Sequence, residues 1–223
     1  MAIHNPNDNS TYVVKYMNLM GRAGIIRAIL HLAGATYTNE FIQLESVKDN
    51  RGAYPFGHVP VLVETRADGT TFELGEALAI EHYVAEKFGL LGSTPQEAAL
   101  RKSVGFNIYL ELYHHCFASS TPIKDAIADP TSEFMTNALP QFLQCHEKWL
   151  RNNGNNGYYF GDSISYPDLV LLNWVRLLTV LGLQIDENSP IKKLENTIKA
   201  LPEWKGRYDD FSPVSMIDTG KEA

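Results

Sequence analysis

Thr11-Tyr12-Val13-Val14-Lys15-Tyr16-Met17-Asn18-Leu19-Met20-Gly21-Arg22-Ala23 is the stretch whose reading decides the fold. Residues 12–16 read as a short buried strand, and residues 18–23 turn it into an amphipathic helix. That helix is carried by Ile25, Ile26, Ile29, Leu30 and Leu32, which recur at spacings of three and four and stop at Ala33-Gly34. The turn sets the Tyr16 hydroxyl beside a helix N-terminus, where unpaired backbone N–H groups and the positive end of the helix dipole gather. An anion brought there meets both a phenolic donor and a partial positive charge, and a thiolate is the candidate. Alone, a tyrosine at a strand end is usually a packed core or rim residue, so the assignment depends on what lies downstream.

Outward from this unit the first part of the chain alternates strand-like and helix-like stretches. Residues 36–44, 59–63 and 70–74 read as strands, with Ala67-Asp68-Gly69 as a hairpin turn between the last two. Residues 76–88 read as a helix with Ala79, Ile80, Tyr83 and Val84 on one face and Gly89 past its end. After Gly92-Ser93-Thr94-Pro95 the strand signals stop, and helical patterns cover 97–117, 132–152, 167–181, 191–200 and 202–208. The expected organisation is a polar, disordered tail at 1–10, an α/β domain at 11–88, a linker at 89–95, an all-α domain at 96–211 and a C-terminal tail at 212–223.

The composition bounds the function. The chain has 223 residues, 44% hydrophobic and 20% charged, which is enough for one large core or two smaller ones. No apolar run approaches the roughly 20 residues that cross a bilayer, and the polar start carries no targeting pattern, so a cytoplasmic protein without membrane contact is expected. A net charge of −7 with no basic stripe argues against nucleic acid as a partner. Cys116 and Cys145 are too few for a disulfide scaffold. His114-His115-Cys116 and Cys145-His146 are adjacent residues that point about 100° apart on a helix, not the three- or four-residue spacing of helical metal ligands, so no metal is expected.

In the second half, Gly161-Asp162-Ser163-Ile164-Ser165-Tyr166-Pro167-Asp168 is the sharpest local signal. Ser165 with Asp168 forms a capping box in its aspartate variant, and Pro167 falls in the first turn, where its missing N–H costs nothing.

Together these motifs resemble the cytosolic glutathione transferases over residues 11–211. Tyr16 to Ala23 is similar to the first-strand tyrosine and Gly-Arg-Ala helix start of the sigma-like, tyrosine-type class. Pro55-Phe56-Gly57-His58-Val59-Pro60-Val61-Leu62 resembles the Phe-Gly-Gln/Lys-Val-Pro segment, and 161–168 the family's helix-capping box. The resemblance implies a thioredoxin-like N-terminal domain that binds glutathione, an all-α C-terminal domain, and a cis bond before Pro60. It further implies a homodimer that conjugates the glutathione thiolate to small hydrophobic electrophiles, with peroxidase or isomerase activity as changes of substrate only.

By the same resemblance Tyr16 is catalytic, and Tyr16, Arg22, Arg51, His58, Val59, Glu76 and Ala77 bind glutathione. Asn18, Met20, Tyr109, Tyr113 and Trp174 line the pocket for the hydrophobic substrate, although aromatic side chains on a helix are by default core. Glutathione is the co-substrate and no metal is implied. One departure stands out: the family pattern Gln/Glu-Ser-x-Ala-Ile, whose serine binds the γ-glutamyl carboxylate, here reads Glu76-Ala77-Leu78-Ala79-Ile80. That substitution keeps open an alternative, a non-catalytic binding or structural protein on the same fold.

Overall fold

Along Thr11–Tyr16 (β1) buried and outward positions alternate, and Tyr12, Val14 and Tyr16 point into the core. A 3-10 turn at Gly21–Ala23 leads into helix α1, Gly24–Leu32, and the chain returns as Thr36–Phe41 (β2), parallel to β1. Parallel pairing needs a crossover, which α1 supplies. A short helix, Leu44–Asp49 (α2), and a 3-10 turn, Arg51–Ala53, precede the hairpin of Val61–Thr65 (β3) and Thr71–Gly75 (β4). Helix α3, Ala77–Lys87, follows. The sheet order is β2-β1-β3-β4, with β3 antiparallel to both neighbours. Helices α1 and α3 pack together, burying Ile26, Ile29, Leu30, Ile80 and Val84.

This computed structural model describes residues 9–204. They divide into two compact units: residues up to 92 together with Pro202–Trp204, and residues 93–201. The tails expected at 1–10 and 212–223 lie outside the described residues apart from Asn9 and Ser10, as does the helix expected beyond Trp204. Ser10 is anchored: its hydroxyl donates to the buried Glu64 carboxylate at 2.8 Å, where Lys87 and Tyr83 also bind. The turn Pro202–Trp204, expected in the helical half, packs on α1 and buries Trp204 there.

The second unit is all-helical. Its elements are α4 (Pro95–Tyr113), α5 (Ile123–Ala128), α6 (Leu139–Asn152), α7 (Tyr166–Val180) and α8 (Pro190–Lys199). Wide π turns at His114–Ala118 and Phe134–Ala138 extend α4 and lead into α6. Helix α4 starts at a full capping box: Glu97 N–H donates to Thr94 Oγ at 3.2 Å and Thr94 N–H to the Glu97 carboxylate at 3.1 Å. Helices α4 and α7 approach closely at Gly105, where a Cβ would lie 2.5 Å from the Tyr166 ring. Ser165 and Asp168 form the predicted box at the start of α7. Asp168 also accepts from Tyr159 N–H at 2.8 Å, so the cap ties the preceding loop to the helix. Losing such a cap typically costs about 0.5–2 kcal/mol.

The architecture is the expected one, a mixed α/β unit of thioredoxin-like order and an all-α unit. Some sequence expectations differ in extent. The strand expected at 36–44 ends at Phe41, because Leu44 already begins α2, and the strand expected from Val59 begins at Val61, after the cis Val59–Pro60 bond. Helices α2 and α5 were not expected at all.

Candidate active site

The sheet register assembles one row of residues at the end of β1. Lys15 pairs with Val61, and Val61 pairs with Gly75, so the next residues along, Tyr16, Pro60 and Glu76, stand side by side. Val59–Pro60 is cis and Glu76 holds φ 72°, a backbone conformation rare for a residue with a Cβ. A non-glycine residue held at such a φ is typical of functional sites, where the surrounding structure enforces it.

Tyr16 is buried, 5% exposed, and its hydroxyl oxygen accepts from the Arg22 backbone N–H at 3.2 Å. This contact joins the strand end to the 3-10 turn that starts α1. Gly21, at φ 38°, lies against it, and a Cβ there would sit 2.6 Å from the Tyr16 oxygen. Burial raises the phenol pKa above its ordinary value, while the Arg22 N–H and the charges of Arg22 and Arg27 pull it back. The hydroxyl therefore keeps its proton at neutral pH and remains a donor.

Around this row, Asn18 and Arg22 are exposed and Met20 is buried. Arg51 is exposed on its 3-10 turn, and its side chain lies against Gly57. His58 bonds through Nδ1 to the Phe56 carbonyl at 2.8 Å and through Nε2 to Glu76 Oε1 at 3.0 Å. The pair ties the 54–58 loop to the start of α3. Ala77 is buried at the first position of α3, whose N-terminus has no side-chain cap, leaving its first backbone N–H groups without a side-chain acceptor from that cap.

Within the helical unit, Tyr109, Tyr113 and Trp174 form one aromatic cluster. Tyr109 stacks on Tyr113 with ring centroids 5.2 Å apart and meets Trp174 edge-on at 6.0 Å. Trp174 is buried, whereas the two tyrosines are half-buried. Among the described residues no group of three or more His, Cys, Asp or Glu could hold a metal ion. Cys116 is buried, and burial pushes its thiol up to about 12, so it is an unreactive core residue.

A family profile described as the glutathione S-transferase C-terminal domain matches residues 112–206. Glutathione S-transferase 3 of Caenorhabditis elegans is 26% identical over 199 residues, covering 87% of this chain and 93% of that protein. Hematopoietic prostaglandin D synthase of Gallus gallus is 27% identical over 195 residues, covering 86% and 92%. The solved nu-class transferase of Haemonchus contortus superposes with a TM-score of 0.73 at 27% identity, covering 92% of this chain and 98% of that one. The chain has the glutathione S-transferase fold.

On this fold the chain carries one buried group that its sequence did not announce. Arg27, on α1, is fully buried; Nε donates to Asn39 Oδ1 on β2 at 2.7 Å. Its Nη groups donate to the Leu19 and Met17 carbonyls at 2.5 and 3.2 Å, gripping both sides of Asn18. Its guanidinium lies 5.8 Å from the centre of the Tyr16 ring and 6.0 Å from that of Phe41. The signal was present: Gly24 to Leu30 is buried all round, and a helix so enclosed holds a charged residue only where partners satisfy it. A second unannounced feature is His146, buried in the helical unit between the Tyr159 hydroxyl at 2.8 Å and Asn107 at 3.1 Å.

Proposed function

We propose that this transferase-fold protein is a tyrosine-type glutathione S-transferase that adds the glutathione thiolate to small hydrophobic electrophiles. The observation that carries the reading is the Tyr16–Arg22 contact. The phenolic oxygen already accepts an N–H, so its own proton is left to donate to a second acceptor, and the bonded N–H polarises it toward that acceptor. A thiol of pKa about 8.5 is brought two units lower by about 2.7 kcal/mol of preferential thiolate stabilisation. One charge-assisted hydrogen bond plus a helix dipole supplies that amount. The thiol proton leaves to solvent, so no protein base is required.

In this reading Arg22, Arg51, His58, Val59, Glu76 and Ala77 hold the peptide, with the uncapped start of α3 receiving its γ-glutamyl carboxylate. The residues that the family resemblance assigns to the electrophile are Asn18 and Met20 in the first unit and Tyr109, Tyr113 and Trp174 in the second. The protein acts as a cytoplasmic homodimer, and its net charge of −7 suits small ligands better than nucleic acid.

Calorimetry tests the binding half. Glutathione binds saturably with a dissociation constant between micromolar and low millimolar, about −8 to −4 kcal/mol. Conjugation of a generic aromatic electrophile tests the chemical half. One observation favours a second reading, a non-catalytic binding protein: Ala77 offers no hydroxyl to the γ-glutamyl carboxylate. Saturable binding without conjugation selects it, and no heat at several millimolar glutathione with the protein folded overturns both.

A further inference from the structure

The buried arginine under the strand-end tyrosine is an expensive feature to keep. A guanidinium moved out of water is costly unless its donors are matched, and here one donor on each of its three nitrogens is matched, by two loop carbonyls and one amide oxygen. Burial pulls Arg27 down to about 10, still charged at neutral pH, with Tyr37 and Tyr16 the titratable groups that push it back up. A leucine at this position would fill an apolar helix at no such cost. The placement of the guanidinium is therefore informative.

Two of its contacts bear on the candidate site. By accepting from Arg27, the Met17 and Leu19 carbonyls fix the turn that carries Gly21 and the Arg22 N–H to the Tyr16 oxygen. Met17 O also accepts from Leu19 N–H at 2.8 Å, so the turn is pinned from inside and from α1. The second contact is electrostatic. A positive charge 5.8 Å from the phenol ring favours electron density leaving the O–H bond, which makes the hydroxyl a stronger donor.

We propose that Arg27 is a positioning residue for Tyr16, clamping the 17–20 turn by its two carbonyls and lying beside the ring so that the hydroxyl donates more strongly to a bound sulfur. The inference rests on the function proposed above, but it has a consequence in the ligand-free protein. Removing the guanidinium raises the Tyr16 titration further, because the cation that favours phenolate is gone.

The experiment compares the native protein with Arg27→Met, Arg27→Lys and Asn39→Ala. Tyr16 is titrated without ligand through isotope-labelled tyrosine resonances, and the bound glutathione thiol through thiolate absorbance. In Arg27→Met both titrations rise, and kcat at neutral pH falls while KM for glutathione holds. Arg27→Lys keeps the charge and recovers part of both shifts. If Arg27→Met fails to fold, Asn39→Ala, which frees only the Nε end of the clamp, moves both titrations the same way by less. Native-like titrations of Tyr16 and thiol in the folded variants overturn the inference. If the native protein binds no glutathione, the proposed function fails, and the ligand-free Tyr16 titration alone decides the role of Arg27.

Discussion

The backbone N–H of Arg22 donates to the phenolic oxygen of Tyr16 across 3.2 Å, and Gly21 is the residue that lets them meet. Gly21 holds φ 38°, and a side chain there would press on the Tyr16 oxygen and on Leu19, each 2.6 Å from the added Cβ. The sequence run Gly-Arg-Ala therefore does mechanical work: the glycine brings the helix start close, and the arginine backbone supplies the donor.

Gly21→Ala displaces the Tyr16 hydroxyl. Conjugation falls by up to about a hundredfold, the cost of roughly an ångström of misplacement, while glutathione affinity changes little. Initial rates set beside calorimetric binding check this; an unchanged rate would show that the hydroxyl tolerates the displacement.

Ala77→Ser restores a hydroxyl at the first position of α3, where no side chain caps the helix. A hydrogen bond to a charged carboxylate contributes about 1.5–3 kcal/mol, so glutathione binds about tenfold to over a hundredfold more tightly. Equal dissociation constants for the two proteins would mean that the backbone donors already suffice.

The helical unit has a pH dependence of its own. Burial lowers His146 to about 4, and its neutral ring is held by the Tyr159 hydroxyl and Asn107. An unfolded histidine titrates near 6.5, so the unfolded chain binds the extra proton first as pH falls. This contribution is fully present above about 6.5 and is lost toward 4, by at most about 3 kcal/mol. Asp168, pushed up by burial to about 7, works in the opposite sense and is shared by both proteins compared. Denaturant unfolding of native protein and His146→Gln isolates the histidine: the native protein loses stability relative to the variant between pH 6.5 and 4. Parallel curves would refute the buried neutral ring.

Much of this was legible in the sequence because it is local. The strand ending at Tyr16, the hairpin of β3 and β4, α3, and the Ser165–Asp168 cap each follow from period, turn chemistry or capping within a dozen residues. The Thr94-Pro95-Gln96-Glu97 box is equally local, and it starts α4 at Pro95, two residues before the helical pattern expected from 97. Helices α2 and α5 have six residues each, too few for a period to appear. Arg27 and His146 were illegible for another reason. Their partners, Asn39 and the 17–19 carbonyls in one case, Asn107 and Tyr159 in the other, come from elements that only folding brings together. Placement of the Glu76 carboxylate on His58 is likewise tertiary, created by the pairing of Val61 with Gly75.

Tyr16→Phe tests the central claim most directly. The ring still packs in its buried place, and the Arg22 N–H loses an acceptor at a cost of about 1 kcal/mol, so the variant folds. Thiolate absorbance of bound glutathione is titrated in both proteins alongside conjugation of an aromatic electrophile near neutral pH. The account predicts a higher thiol pKa and a rate lower by up to about a hundred- to thousandfold, the loss of one positioned donor worth about 2.7–4 kcal/mol. The same thiol pKa and the same rate in both proteins would contradict it and leave Tyr16 a packing residue.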